Sequence, residues 1–566
     1  MAKLTPLAKG LIAVTILAVT AAAAWQLGVK DLVLGGNSTD PVTDNTNNTT
    51  DNNGGLFGNS GNGGLFGGDT PKGPLGSPDN PLKVSIVSFH GYAPALVANG
   101  SSLKTQPGSL FEKNGVNVEF IIQDDIPTLA TIFSSDTAHC AWRTSDFWAQ
   151  EHPNLRNANY DAKAVVIVDN TQGADAVIAS DPNIQSIEDL AGKSVALLEF
   201  TPSHGMVIDA IENSSLSKRR KSSIELKYIN VDEGTAGVRA ALEAGAVDAA
   251  ALWDPDLSLA LKNTNAHVIY STKTATNLIY DVMVCDTRFL DDPTNENAFK
   301  GFVAGWMAGV DAAEANPDVA VDALIKTQEF FELLAKEQGR DFVEELFGNL
   351  VWTGLEDNAR ILGMAGGTNH YERVYRKFDG IYRGAGALAN PNSPVINPQE
   401  SFDYRFIKGL VDQNATAQEE AKKPQFTFSD EGRQKAASRE ALLTKPVTVS
   451  FKTGSAELSK RSERTIDEEM VTMIENNGNA YFEVSGNTDS TGSRSTNMRL
   501  SKQRATAVVD YLINEWEFER ERFVVVGNGP DKPLCDEKSH EAEGLTLDEC
   551  RSSNRSTRLA ILSNTN

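Results

Sequence analysis

The chain has 566 residues, 40% hydrophobic and 23% charged, so it is long enough for several domains and has the composition of a folded protein. Its 52 Lys and Arg against 76 Asp and Glu give a net charge of −24, which argues against nucleic-acid binding. Four cysteines exclude a disulfide-dense scaffold, and no CxxC or HxxxH spacing indicates a structural zinc site. We therefore expect neither a metal nor another cofactor.

The first segment, residues 1–35, contains an apolar run without charge at 10–29, preceded by Lys3 and Lys9. About twenty such residues are enough to cross a bilayer, and the lysines favour a cytoplasmic N-terminus. A cleaved signal peptide is the alternative, because the alanines at 21–24 offer small residues for cleavage. Both interpretations carry the rest of the chain across the membrane.

Residues 36–80 are rich in Asn, Gly, Asp, Ser and Thr, and the unit GGLFG occurs twice, at 54–58 and 63–67. Such a composition cannot bury enough apolar surface to offset the entropy of ordering. We interpret this segment as a flexible linker.

From residue 81 to about 412, β-rich runs alternate with helical patterns, which is typical of parallel βαβ units. After Cys285 the pattern becomes helical, from about 295 to 349. The length is sufficient for two lobes. The predicted strands are 83–88, 118–122, 137–142, 164–168, 195–198, 224–229, 248–253 and 268–270.

Four segments of this region carry a resemblance: GYAPALVANGSSLKTQPGSLFEKNGVNVEFI, SIEDLAGKSVAL, LEAGAVDAAALWDPDLSLA and NPDVAVDAL. Their order and spacing resemble periplasmic substrate-binding proteins of the nitrate, sulfonate and taurine type, over about 83–410. The resemblance implies a bilobed type II periplasmic binding fold, with the ligand held between the lobes.

Polar turns follow several predicted strands, and ligands of open α/β sheets bind beyond the carboxyl ends of strands. Ser203 is a predicted N-cap, whose helix dipole favours an anion. Nearby carboxylates would repel an anion, so the identity of the solute stays open. These carboxylates are Asp124, Asp125, Asp146 and Asp254. The candidate ligand-binding residues are His90, Tyr92, Thr144, Ser145, Ser203, His204, Trp253 and Asp254.

An enzyme is the less favoured interpretation of this region. Some relatives of the fold act on thiamine-pyrimidine or menaquinone precursors, but the Cys-rich iron motif of the pyrimidine synthases is absent from this sequence. No nucleophile-base-acid order is evident either. We expect no enzymatic activity. Residues 413–445, polar and partly helical, are interpreted as a connector.

The last segment, 446–566, shows the order βαβαββ, with strands at 446–451, 480–485, 523–527 and 557–562 and helices at 465–474 and 497–514. Arg504 lies on the apolar stripe of the second helix, with Leu500 and Val508. An inward guanidinium needs a carboxylate or an anionic ligand, and Asp489 is the candidate.

The stretches FKTGSAEL and VSGNTDSTGSRSTNMRLSKQRATAVVDYL closely resemble the OmpA-like peptidoglycan-binding domain, over about 446–563. The resemblance implies that the family's Asp and Arg, which grip the zwitterionic end of diaminopimelate, fall on Asp489 and Arg504. Asn487 replaces a family His, and the sequence NRSTR leaves two arginines for a C-terminal role. The implied wall-binding residues are Thr488, Asp489, Asn497, Arg504, Arg555 and Arg558.

Cys535 and Cys550 are expected to form a disulfide in an exported protein, whereas pairing of Cys140 with Cys285 stays open. The sequence thus predicts a protein of a Gram-negative-type envelope, anchored in the inner membrane with its bulk in the periplasm. One hypothesis is a wall-tethered receptor for a small solute, serving an ABC permease or a sensor. The alternative is a scaffold whose binding fold docks another envelope protein.

Overall fold

The computed structural model describes residues 73–449, 451–452 and 454–564. The predicted membrane segment, and the linker up to residue 72, lie outside the described residues. Within the described part of the chain, no helix is both long and apolar enough to cross a bilayer.

The strands of the described ranges form three sheets, with six, five and four members. In chain order they are β1 Leu82–Ile86, β2 Val118–Ile122, β3 Cys140–Thr144, β4 Ala162–Thr171, β5 Asp175–Ala179, β6 Ser194–Leu198, β7 Glu225–Ile229, β8 Ala249–Trp253, β9 His267–Ser271, β10 Tyr280–Asp286, β11 Leu350–Trp352, β12 Leu443–Val447, β13 Ala480–Asn487, β14 Phe523–Gly529 and β15 Thr557–Ser563.

Helices cover both faces of the sheets. The α-helices are Ala93–Ala98, Leu110–Lys113, Ile126–Ala130, Ser145–Asn157, Pro202–Asn213, Lys218–Lys221, Gly234–Glu243, Asp256–Asn263, Thr287–Leu290, Glu296–Ala315, Pro317–Thr327, Glu329–Gln338, Arg340–Leu346, Leu355–Ile361, His370–Ala385, Arg405–Val411, Ala415–Glu420, Asp430–Ala437, Lys460–Ile466, Thr472–Asn476, Arg494–Trp516 and Leu547–Asn554. A π-helical turn, Asp467–Val471, joins two of them.

Two lobes make up the region before residue 412. The first is built on the sheet β11-β4-β10-β3-β1-β2 and the second on β7-β6-β8-β5-β9. The chain crosses between the lobes from β4 to β5 and returns from β9 to β10. Each lobe therefore presents the carboxyl ends of its parallel strands to the other lobe.

The sheets are mixed, which corrects the prediction of purely parallel βαβ units. β10 runs antiparallel between β3 and β4, and β5 runs antiparallel between β8 and β9. Buried strands are apolar on both faces whatever their direction, so the hydrophobic pattern does not report strand polarity. The sequence also missed β5, β10 and β11 as strands.

A disulfide joins Cys140 of β3 to Cys285 of β10. The two cysteines are partners in the antiparallel register, with their Cα atoms 4.0 Å apart. The bridge ties the returning strand to the first lobe, at the end of β3 opposite the cavity-lining Thr144.

The C-terminal sheet has the order β12-β15-β13-β14, and the helix Arg494–Trp516 packs on β13 and β14. The helix lies so close that a Cβ at Gly486 would come within 2.0 Å of the Ser501 carbonyl oxygen. A Cβ at Gly527 would meet the side chain of Lys502 at 2.6 Å. The strand predicted at 446–451 instead ends at Val447.

This C-terminal domain is docked on the bilobed region by specific contacts. Arg373 and Glu475 form a largely buried ion pair at 2.7 Å. The backbone and side-chain amides of Asn277 donate to the carbonyl oxygens of Asn476 and Glu475, at 3.0 and 2.8 Å. These bonds hold the C-terminal domain beside the loop that leads from β9 to β10.

Candidate functional site

A cavity of about 270 Å³ lies between the lobes. It is lined by residues at the carboxyl ends of strands in both sheets, as the position of sites in α/β folds predicts. The cavity wall includes Phe89, Trp142, Thr144, Phe147, Thr171, Asp175, Trp253, Asp254, Asp281 and Phe330.

Three carboxyl groups in the cavity wall are almost fully buried: Asp175 is 3%, Asp254 0% and Asp281 4% exposed. Asp254 accepts hydrogen bonds from the amide of Ser258 at 2.9 Å and from the side chain of Asn349 at 2.7 Å. None of the residues described as lining this cavity is Lys, Arg or His. The wall therefore holds three buried carboxyl groups with no basic side chain among its described lining residues.

Burial dominates the electrostatics of these groups because it penalises the charged form. It raises the pKa of Asp254 to about 6 and that of Asp281 to about 7. It also raises the pKa of Asp175 well above its ordinary value. Asp146, which lies behind the wall, has its pKa raised by burial to about 6.

Aromatic side chains and unsatisfied polar groups complete the wall. Phe89, Trp142, Phe147, Trp253 and Phe330 supply the aromatic surface. The indole N–H of Trp142 and the hydroxyls of two threonines form no hydrogen bond of normal geometry (Thr144, Thr171). These groups are available to a bound molecule.

Of the eight candidate ligand-binding residues, three line the cavity, namely Thr144, Trp253 and Asp254. The structure places the other five behind the wall or away from it. Those five are His90, Tyr92, Ser145, Ser203 and His204.

Packing explains why His90, Tyr92 and Ser145 do not reach the cavity. His90 is fully buried, its ring stacks on Phe347 at 6.1 Å, and burial lowers its pKa to about 3. Tyr92 is also buried and donates its hydroxyl hydrogen bond to Asp281 at 2.8 Å. The hydroxyl of Ser145 accepts from the amide of Tyr280 at 3.3 Å. Tyr92 and Ser145 thus support groups behind the wall.

The structure also places Ser203 differently from the predicted N-cap and anion site. The N-cap of the helix Pro202–Asn213 is Thr201, and Ser203 lies inside the first turn, fully buried. His204 accepts a hydrogen bond from the amide of Phe200 at 3.0 Å and packs against Tyr228. This helix end therefore presents neither predicted side chain to the cavity.

Sequence reasoning missed Thr171, Asp175 and Asp281, because they belong to the parts of β4, β5 and β10 that were not predicted as strands. Phe330 was missed for another reason. It reaches the cavity from the helix Glu329–Gln338, far along the chain, and no local pattern marks that contact.

Four of the six wall-binding candidates lie around the loop after β13, namely Thr488, Asp489, Asn497 and Arg555. Asp489 is 8% exposed, accepts from the amide of Thr491 at 3.0 Å and pairs with Arg555 at 2.5 Å. The side-chain amide of Asn497 donates to the carbonyl of Thr491 at 2.9 Å. The amide of Thr488 donates to the carbonyl of Gly529 at 2.8 Å. Asn497 and Thr488 thus hold the loop that carries the carboxylate.

Arg504 has a different environment. Its Nε donates to the carbonyl of Ser455 at 3.1 Å, and its guanidinium lies 5.0 Å from the ring centroid of Phe451. Burial lowers its pKa, and no carboxylate of the described residues forms an ion pair with it. Among the described residues, Asp489 pairs with Arg555 and not with Arg504.

The two arginines of NRSTR have separate positions. Arg555 reaches Asp489, whereas Arg558 lies within β15, is 7% exposed, and has a pKa that burial lowers to about 10. Asn487, at the family His position, donates to the carbonyl of Ser556 at 3.2 Å. Arg555 is therefore the one of the two that belongs to the site.

The disulfide Cys535–Cys550 closes a loop beside this site, in the pairing expected from the sequence. Within the loop, Glu537 accepts from the amide and hydroxyl of Ser490, at 2.9 and 2.7 Å. Although burial opposes it, the bonds from Arg551 and Ser490 lower the pKa of Glu537 to about 2. The closed loop thus braces the residue that follows Asp489.

Comparisons with known families agree with these two regions. Residues 450–544 match the model of the OmpA family, and residues 108–320 match the family described as NMT1/THI5 like. The chain is similar to outer membrane porin F of Pseudomonas aeruginosa, 40% identical over 62 residues, which are 11% of this chain and 18% of that protein. It is also similar to outer membrane protein Omp38 of Acinetobacter baumannii, 37% identical over 67 residues, 12% of this chain and 19% of that protein. The matches span less than a fifth of these relatives.

Two solved structures of binding proteins are similar to part of this chain. The periplasmic aliphatic sulphonate binding protein SsuA from Escherichia coli is 13% identical, with a TM-score of 0.44, covering 58% of this chain and 98% of that one. The alkanesulfonate-binding protein SsuA from Xanthomonas axonopodis pv. citri, bound to MOPS, is 15% identical, with a TM-score of 0.40 and coverage of 56% and 96%. The chain joins an NMT1/THI5-like region to a C-terminal OmpA-family domain, the fusion that the sequence resemblances predicted.

Proposed function

We propose that this protein is a non-enzymatic solute receptor of the bacterial cell envelope, held on peptidoglycan by its C-terminal domain. One observation carries the proposal. A single chain contains a cavity between two lobes and, in a separate fold, a buried carboxylate and a guanidinium without a counter-ion.

The chemistry of the second site suits the zwitterionic end of diaminopimelate. Asp489 supplies a carboxylate for the ammonium group, and it already accepts a cation, since Arg555 lies against it. Arg504 offers a planar fork of N–H donors, which binds a carboxylate in a bidentate manner. The Phe451 ring shields the Arg504 guanidinium from water, and this lower local dielectric strengthens its attraction to a carboxylate.

The attachment of the N-terminal end to the inner membrane is inferred from the sequence. The apolar run at 10–29 serves as the inner-membrane anchor, and residues 36–72 as the tether, because the stretch 73–80 packs on the bilobed region, where the amide of Asn117 donates to the carbonyl of Gly76 at 2.7 Å. A flexible chain of about 37 residues has a root-mean-square reach of about 30–35 Å and extends to about 120 Å. The receptor can therefore sit in the periplasm between membrane and wall. A permease or a sensor in the inner membrane is the partner that this position suits.

Sedimentation tests the wall attachment. Full-length protein should pellet with sacculi of the diaminopimelate type and stay in solution without them. Thermal melting tests the receptor part, because a ligand that binds only the native state raises its melting temperature. If no small solute of any charge class shifts the melting temperature while the protein still pellets, the scaffold alternative replaces the receptor.

A further inference from the structure

We infer that the cavity between the lobes binds an organic cation, an ammonium or amidinium group carried on an apolar or aromatic body. The inference rests on the proposed receptor function and names the class of solute.

The charges of the wall point to a cation. Five aspartates line the cavity. Asp256 pairs with Arg239 at 2.8 Å, and Asp124 is exposed to solvent and accepts from the amide and hydroxyl of Ser88. The remaining three have no counter-ion in the wall (Asp175, Asp254, Asp281).

A buried carboxylate without a counter-ion is costly, and such groups shift their pKa upward to reduce the cost. Burial raises the pKa values of Asp254 and Asp281 in this way. A ligand cation within about 4 Å would supply the missing charge and lower these pKa values again. An anion would meet three carboxyl groups and no compensating base.

The hydroxyls of two buried threonines give a second, independent indication of a ligand. The hydroxyl of Thr171, a residue 2% exposed, faces the carboxyl group of Asp175 and opposes the rise of its pKa, and no described group donates a hydrogen bond to its oxygen. The hydroxyl of Thr144, a residue 6% exposed in the same lobe, stands in the same relation to Asp146. Each hydroxyl oxygen can accept from an N–H of a ligand placed between the lobes.

The aromatic residues indicate the chemistry of the uncharged part of the ligand. Trp142, Phe147 and Trp253 present ring surface to the cavity. Such surface attracts a cation through the ring quadrupole and also packs against an apolar body. The volume of about 270 Å³ matches a single-ring or short-chain amine and is too small for a peptide.

Thermal melting and calorimetry of the full-length protein at pH 8 test the inference with a matched trio. The probes are phenethylamine, 2-phenylethanol and phenylacetate, which share a body and differ in charge. Benzamidine, agmatine and spermidine extend the cations, and taurine, nitrate, sulfate and uracil extend the anions and neutral compounds. We expect at least one cation to raise the melting temperature, and phenethylamine to bind more tightly than its neutral and anionic counterparts.

Variants locate the site. Asp175→Asn should weaken binding of the best cation at least tenfold, while Asp232→Asn, which changes an exposed aspartate at the rim, should not. Unliganded Asp175→Asn should melt no lower than the wild type at pH 8, because burial disfavours the charged form of Asp175 and the amide carries no charge. That second readout shows the variant to be folded.

The outcomes separate this inference from the proposed function. Melting shifts with anions or neutral compounds and none with cations would overturn the cation class and leave the receptor standing. The absence of a shift with every probe would count against the receptor itself. Cation binding that Asp175→Asn leaves unchanged would overturn the assignment to this wall.

Discussion

Replacing Asp489 with Asn is expected to weaken peptidoglycan binding without unfolding the domain. The Asn side chain keeps an oxygen that can accept from the amide of Thr491, now bound at 3.0 Å. What is lost is the negative charge that faces the ammonium group of the stem peptide. A hydrogen bond to a charged group contributes about 1.5–3 kcal/mol. Since 1.4 kcal/mol is a factor of ten, we expect affinity to fall about 10- to 150-fold.

The same replacement should cost little stability. Asp489 loses its ion pair with Arg555, whose side chain is 48% exposed. Half-exposed pairs contribute at most about 1 kcal/mol, because solvent screens them. Melting of the variant should therefore stay close to that of the wild type, and weaker binding can be read as loss of the site.

The assay is sedimentation of full-length protein with diaminopimelate-type sacculi over a range of concentrations. Asp531→Asn is the matched control, because Asp531 also forms an ion pair with an arginine of this domain, Arg494, at the surface. The control should bind like the wild type. If Asp489→Asn binds as tightly as Asp531→Asn, the carboxylate does not contact the wall and the site is misassigned.

Three further outcomes are expected. Arg504→Lys should weaken binding to sacculi at least tenfold, because an ammonium cannot bind a carboxylate in a bidentate manner; equal binding would mean that only charge is needed. Glu537→Gln should weaken binding without reaching the ligand, since Glu537 braces Ser490, and reduction of the nearby disulfide should mimic it; wild-type sedimentation of both would remove this role. The melting temperature of Asp281→Asn, measured relative to the wild type, should rise as the pH increases from about 5.5 to 8. Asp281 has a folded pKa of about 7, above the unfolded one, so the stability that its protonated form contributes at low pH is lost on ionisation in the wild type alone. The comparison cancels the buried histidines, whose lowered pKa values act in the opposite direction. A difference that does not grow over this range would contradict that reasoning.

The C-terminal domain was largely predictable from sequence because its site is local. Asp489, Asn497 and Arg504 lie on one loop and the helix that follows it, so their spacing along the chain already encodes their arrangement. The partner of Asp489 was not predictable, because Arg555 comes from the other end of the domain. The choice between Arg555 and Arg558 depended on which of the two was buried in β15.

The cavity was only partly predictable, because tertiary packing decides which strand-end residues reach it. Thr144 and Asp254 follow predicted strands and line the wall. His90 also follows a strand, but the distant Phe347 covers it. Asp175 and Asp281 lie on strands that run antiparallel to their neighbours, and an apolar pattern does not reveal that direction.

One measurement tests most directly whether the two sites act in one molecule. Sacculi, full-length protein and a radiolabelled cation, the probe with the largest melting shift, are mixed and sedimented together. We predict that the cation enters the pellet only with wild-type protein. Asp489→Asn and Asp175→Asn should each abolish this co-sedimentation of the cation. Cation that pellets with Asp489→Asn as it does with wild type, or wild-type protein that pellets without the cation, would contradict a wall-bound receptor.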